Sequence, residues 1–260
     1  MDSPIGPIGV FDSGLGGLTV LKQLRSHLPG HDFIYLGDTA RLPYGAKSPQ
    51  TIQLYLKQNI DYLKQYDVSQ IVVACNSAST VLEPESFSIP TIGVIQPGAI
   101  AALGKSLTKN IAVLGTRATI QSGAYKKYLL QLNPHVQVHQ VACPLFVPLV
   151  EEGLEIDPLT NLISYRYLNH LNELNVDTVI LGCTHYPRLH LAIRKVLGQT
   201  VHLIDSAYVI AEDLLQRLGP GPKQKGKTTI LCTDTTEQFQ AMIPRILSNA
   251  EQFEVIRVDL

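Results

Sequence analysis

The sequence predicts an α/β fold built on mostly parallel sheets flanked by helices. Three observations carry that expectation. Short apolar runs alternate with stretches of helical periodicity from end to end. Polar residues gather where the apolar runs stop, at Asp12-Ser13, Asp38-Thr39, Cys75-Asn76, Thr116 and Cys183-Thr184-His185. A phrase also recurs: Ile71-Val-Val-Ala-Cys75-Asn-Ser77 resembles Val179-Ile-Leu-Gly-Cys183-Thr-His185. Two related halves, each presenting a thiol at a strand end, suggest two units facing each other across a cleft. Parallel sheets bind ligands at the carboxyl ends of their strands, where these polar residues fall.

The elements follow in order. Ile8 to Asp12 is a short strand ending in a glycine-rich turn, and Leu18, Leu21, Leu24 and Leu28 then recur at helical spacing. Phe33 to Leu36 is a second strand, followed by a loop with Pro43, Tyr44 and Gly45. Ser48-Pro49 reads as the cap and first residue of a helix, whose apolar stripe runs through Ile52, Leu56, Ile60 and Leu63. Strands are expected at 71–74, 111–114, 136–142, 179–181 and 201–204, and Asp157-Pro158 opens a long helix. Residues 219–227 read as an exposed flexible loop, and a last strand–helix–strand unit occupies roughly 229–260.

Composition excludes several classes. The chain has 260 residues, 45% hydrophobic and 17% charged, which describes an ordinary globular protein. A formal net charge of −1 leaves no footprint for nucleic acid or an anionic membrane. Asp2 and Pro4 stand where a signal peptide would be basic. The most apolar stretch, 89–103, is interrupted by Pro90, Gly93, Gln96, Pro97 and Gly98 and cannot span a bilayer. The four cysteines are spread widely and read as reduced thiols, so a cytoplasmic location is expected.

A cysteine after a buried strand is most often a small core residue. That reading suits Cys143, followed by Pro144 and apolar residues, and Cys232, within a strand. It suits Cys75 and Cys183 poorly, because polar residues follow each where the chain leaves its sheet. Two thiols outside a disulfide point to proton transfer. A thiol ionises near pH 8.5, and a cation or helix N-terminus lowers that value. Inverting a stereocentre needs a base on one face and an acid on the other. Each cysteine is expected to start a helix whose amides favour the thiolate. His185, two residues beyond Cys183, suits an acid–base role. The turn Asp12-Ser13-Gly14-Leu15-Gly16-Gly17 lacks a P-loop lysine, which argues against nucleotide. It is either a backbone nest for a carboxylate or a tight turn needing small residues. His135 and His139 share a metal-like spacing without further ligands, so no metal is expected. Glu151 and Glu152 read by themselves as a solvated helix face.

Together these segments resemble the glutamate racemase branch of the aspartate, glutamate and hydantoin racemases. The resemblance rests on Asp12-Ser13-Gly14-x-Gly16-Gly17, Tyr35-x-Gly37-Asp38-Thr39-Ala40-x-x-Pro43-Tyr44-Gly45 and Cys75-Asn76-Ser77-Ala78-Ser79. It continues through Gly115-Thr116-x-x-Thr119, Cys143-Pro144-x-Phe146-Val147-Pro148-Leu149-Val150-Glu151 and Leu181-Gly182-Cys183-Thr184-His185-Tyr186-Pro187. It implies two similar α/β domains, residues 1–96 with 208–260 and residues 97–207, with the active site in the cleft between them. It implies racemisation of glutamate without pyridoxal phosphate, metal or nucleotide, supplying D-glutamate for peptidoglycan. Cys75 would act on D-glutamate and Cys183 on L-glutamate, with Asp12, Glu151 and His185 tuning the thiols. Ser13, Pro43, Tyr44, Gly45, Asn76, Ser77, Thr116, Thr119 and Thr184, with Asp12 and His185, would surround the substrate. A homodimer is implied. Ser77 departs from the family's usual threonine but keeps the hydroxyl. The N-terminal extension of precursor-activated racemases is not seen, so that requirement is not implied.

Three other readings compete. A racemase for another acidic substrate such as aspartate would keep both thiols and differ in pocket length. A cysteine hydrolase using Cys183 and His185 would need only one thiol. A non-catalytic binding protein would have no need of both cysteines.

Overall fold

A computed structural model describes residues 6–247 and 253–260. Residues 1–5, which include Asp2 and Pro4, and 248–252, inside the last predicted unit, lie outside the described residues. Ten strands occur among those described: β1 (Ile8–Asp12), β2 (Phe33–Gly37), β3 (Gln70–Val73), β4 (Thr91–Gly93), β5 (Asn110–Gly115), β6 (Gln137–Ala142), β7 (Thr178–Gly182), β8 (His202–Asp205), β9 (Thr228–Cys232) and β10 (Glu254–Arg257). They form two sheets, a six-stranded one in the order β10-β9-β2-β1-β3-β4 and a four-stranded one in the order β6-β5-β7-β8. Every pairing is parallel.

Burial explains the sequence patterns. All five residues of β1 and of β7 are buried, as expected for central strands covered by helices on both faces. Leu18, Leu21 and Leu24 of the helix Gly17–His27 have no exposed surface. Each stabilises the first sheet by about 1.5–3 kcal/mol relative to leaving it in water. That face also takes the helices Ser206–Leu218 and Glu237–Ile246, while Pro49–Leu63 covers the other. The second sheet is covered by Ile95–Lys105 and Ala124–Leu132 on one face. Its other face takes Phe146–Glu151, Pro158–Leu168 and His190–Leu197.

The predicted caps are present. The Ser48 hydroxyl accepts from the Thr51 amide at 3.3 Å, and the Asp157 carboxylate accepts from the Leu159 amide at 2.8 Å. Strand β4 was not expected, since its three residues end at Gly93 and carry no alternation. The segment 219–227 is largely exposed, as expected, but its backbone is tied to the first sheet's rim. Gly226 N–H donates to Pro29 O at 2.8 Å, Gly30 N–H donates to Pro220 O at 3.1 Å, and Lys227 N–H reaches Asp32 Oδ1 at 2.6 Å.

Because the strands run parallel and in register, their carboxyl ends align. Asp12 pairs with Gly37 and Phe11 with Val73 in the first sheet, and Gly115 pairs with Gly182 in the second. The residues just beyond these positions form the site.

Candidate active site

Cys75 leaves β3 and caps the helix Asn76–Ser79, with the Ala78 amide donating to its sulfur at 3.5 Å. Its thiol reaches Ser13 Oγ at 3.5 Å. The helix start is where the sequence places it, but the electrostatic outcome differs from the expected one. Burial and the neighbouring Asp12 carboxylate push the Cys75 thiol up to about 12, against the pull of Ser13 and the Ala78 amide. A single weak amide contact from a four-residue helix does not offset desolvation. Cys75 therefore rests as a protonated thiol.

Cys183 leaves β7 but does not start a helix, contrary to the sequence expectation. Thr184 and His185 intervene before a short 3-10 turn at Tyr186–Leu189. A histidine takes over the expected part of the helix amides. His185 Nδ1 lies 3.7 Å from Cys183 Sγ, and His185 Nε2 lies 3.1 Å from Glu151 Oε1. Burial alone would lower the His185 pKa, but contact with Cys183 and Glu151 outweighs it and raises the group to about 10. Glu151 is thus not a solvated side chain, whereas Glu152 is exposed.

The two thiols are inequivalent but share one cavity of ≈30 Å³. Ser13, Cys75, Asn76, Ser77, Pro43, Tyr44 and Gly45 line it from the first sheet's side. Thr116, Glu151, Cys183, Thr184 and His185 line it from the second. Asp12 and Thr119 stand one layer behind. Asp12 is fully buried, and its Oδ2 accepts the Gly14 amide at 2.9 Å. The turn's amides therefore face Asp12 itself, which favours the tight-turn reading of the glycines. Burial raises the Asp12 pKa, opposed by the charge of His185 and the turn amides. Gly16 permits a close approach between the sheets: a Cβ there would lie 2.1 Å from Thr184 Oγ1 and 2.5 Å from His185 Nδ1. Thr19 adds a bond across the same seam, donating to Thr184 O at 3.1 Å.

Three hydroxyls gather at one end of the cavity. Ser77 Oγ lies 2.9 Å from Thr116 Oγ1 and 3.3 Å from Thr119 Oγ1, and the two threonines are 3.1 Å apart. The Tyr44 hydroxyl points away, donating to Asp38 in a buried network with Asn59, Arg41 and Thr233. Tyr44 thus offers the cavity its backbone and ring, not its hydroxyl. That network also explains Asp38-Thr39, a polar strand end that takes no place on the cavity wall. Leu42 and Val147 line the cavity and were not singled out beforehand; as apolar residues they carry no chemical signal in a sequence.

Cys143 and Cys232 have no exposed surface and sit inside the two cores. The Cys143 carbonyl accepts the Tyr186 hydroxyl at 2.8 Å, anchoring the turn that follows Cys183. His139 lies on β6 with burial and His170 lowering its pKa. No group of three His, Cys, Asp or Glu side chains gathers in metal-binding geometry among the described residues.

Two parallel sheets that each deliver a strand-end thiol to one cavity define an α/β protein with paired cysteines at a shared site. The family model for Asp/Glu/hydantoin racemase matches residues 18–214, and the chain belongs to that family. The glutamate racemase of Geobacter metallireducens is 47% identical over 221 residues, covering 84% of this chain and 82% of that protein. The crystal structure of the glutamate racemase isoform RacE1 from Bacillus anthracis superposes with a TM-score of 0.93 at 38% identity, covering 99% of both chains. Glutamate racemase from Francisella tularensis in complex with D-glutamate superposes with a TM-score of 0.90 at 35% identity, covering 99% of this chain and 98% of that one.

Proposed function

We propose that this chain interconverts L- and D-glutamate without a cofactor, using Cys75 and Cys183 as opposed acid–base thiols. The observation that carries this reading is the delivery of the two thiols to one cavity from different sheets. In the L-to-D direction the Cys183 thiolate, paired with protonated His185, takes the Cα proton. The electron pair passes into the substrate carboxylate, and the Cys75 thiol returns a proton to the opposite face. The enzyme then holds Cys75 as thiolate and Cys183 as thiol, the state that runs the reverse direction. Glu151 holds His185, while Asp12 sets the charge around Cys75. The hydroxyls of Ser77 and Thr116, backed by Thr119, and the backbone amides of Tyr44 and Gly45 suit a carboxylate, and Ser13, Pro43, Asn76 and Thr184 complete the wall.

The similarity to proteins named glutamate racemase, one of them solved with D-glutamate, supports glutamate as the substrate. We extend the proposal to D-glutamate supply for peptidoglycan, a cytoplasmic location, a homodimer, and no role for nucleic acid or membrane. Among the described residues no helix is long and apolar enough to cross a membrane. We also propose a division into residues 1–96 with 208–260 and residues 97–207, supported by the separate cores that pack on the two sheets.

Isotope exchange tests the mechanism. With L-glutamate in D2O, early D-glutamate should carry deuterium at Cα while remaining L-glutamate stays largely unlabelled, because each thiol exchanges with solvent. The mirror result is expected from D-glutamate. Mass spectrometry of separated enantiomers at low conversion reads the outcome, and protium retained in early product would show one base serving both faces.

A further inference from the structure

Asn76 follows Cys75 and is almost wholly buried on the cavity wall. Its Oδ1 accepts the Tyr125 hydroxyl at 2.7 Å, whereas its Nδ2 is buried without a hydrogen-bond partner. A buried amide donor left unmatched is costly unless a ligand takes it up. Tyr125 belongs to the helix Ala124–Leu132 against the second sheet, so this bond crosses from one sheet's side to the other. The phenol ring is fixed by close neighbours. A Cβ at Gly182 would stand 3.3 Å from Tyr125 Cε2, and one at Gly98 would stand 3.4 Å from Tyr125 Cε1 and from the hydroxyl. Gly182 immediately precedes Cys183, so one ring touches the strand carrying one thiol and bonds the neighbour of the other.

The bond also sets which way the amide faces. The Tyr125 hydroxyl has a second contact, Ser206 Oγ at 3.4 Å, and Ser206 in turn donates to Leu181 O at 3.4 Å. The shorter contact takes the phenol proton, so the amide oxygen turns to Tyr125 and the amide N–H groups turn to the cavity. Without the hydroxyl, the two faces of the amide become nearly interchangeable.

We infer that Tyr125 is a positioning residue that locks the Asn76 amide with its N–H groups directed at a substrate oxygen. This rests on the glutamate reading of the cavity, and the tests below keep the two apart. A contact made equally to ground and transition states changes KM more than kcat. Tyr125→Phe should therefore raise KM for both enantiomers about tenfold, the cost of one misdirected hydrogen bond, with kcat changed far less. Asn76→Ala should do the same. The double variant should be no worse than Asn76→Ala, because Tyr125 acts through Asn76. Effects that multiply, or an unchanged KM in Tyr125→Phe, would overturn the inference. If that variant fails to fold, 4-aminophenylalanine at 125 keeps a donor on the ring and should restore KM, whereas 4-fluorophenylalanine should not; equal KM for the two would overturn it. An activity-free reading is available in the Asn76 side-chain amide pair of a 15N spectrum. It should shift on Tyr125→Phe in the free protein even if wild type fails to turn over glutamate, and an unmoved pair would refute the lock.

Discussion

At the scale of single residues, the two thiols differ in what surrounds them. Cys183 has a histidine–glutamate pair behind it, whereas Cys75 has a buried carboxylate and a serine. The sequence made Cys75, Cys183 and His185 visible because polar residues cluster where apolar strands end. It could not show that Glu151 reaches His185, since that contact spans 34 positions. Nor could it show that Asp12 turns back on its own loop. The His185 pair carries a pH signature. His185 is raised from 6.5 to about 10, so its contribution to stability is fully present below about 6.5 and is lost as pH rises through about 10. The difference in Tm between wild type and His185→Asn should therefore shrink between those values; a constant difference would mean that the pair does not hold the proton. The hydroxyl cluster offers a second test. Ser77→Ala removes one of the three hydroxyls, leaving Thr116 and Thr119 bonded only to each other, and should raise KM about tenfold, whereas Ser77→Thr keeps the hydroxyl and should stay near wild type. Steady-state kinetics with each enantiomer decides this, and equal KM for the two variants would remove Ser77 from the substrate site.

At the scale of elements, the strand-end turns do the positioning. Their boundaries were largely legible, because apolar runs and capping residues are local signals: β1 falls on Ile8–Asp12, and Ser48 and Asp157 cap as read. The reason for the glycines was not legible, since it lies in a turn from one sheet meeting a strand end from the other. Gly16→Ala should separate the Asp12 turn from Thr184 and His185, because the added Cβ has no room. A shift of about 1 Å at the reacting groups costs on the order of 100-fold. The expected result is a fall in kcat/KM of that order with the circular dichroism unchanged; full activity would show that the seam gives way freely. The absence of a helix at Cys183 belongs to this scale too. A strand followed by a polar turn reads the same whether an α-helix or a 3-10 turn comes next, and Pro187 settles the matter only once the backbone is seen.

At the scale of the whole molecule, the two-sheet arrangement was legible from the repeated strand-cysteine phrase, while the size of the cavity was not. At ≈30 Å³ it is small. Leu42 and Val147 also line a neighbouring cavity of ≈260 Å³, so they stand as lips between the two spaces. Saturating D-glutamate should then slow hydrogen exchange at 42–45 and 147–151, where the two sides meet; identical exchange with and without ligand would argue that these lips stay still. Chain order has a further consequence, which concerns synthesis. Strand β2 is flanked by β1 on one side and by β9 on the other, and the β9 pairing begins at Phe33 with Thr228. On the ribosome, the whole four-stranded sheet emerges before β9 exists. During that interval β2 is an open edge bearing Ile34 and Leu36, the kind of surface that recruits strands from other chains. A nascent chain halted before residue 228 should be a client of chaperones, and release of the last segment should end that dependence by closing the edge.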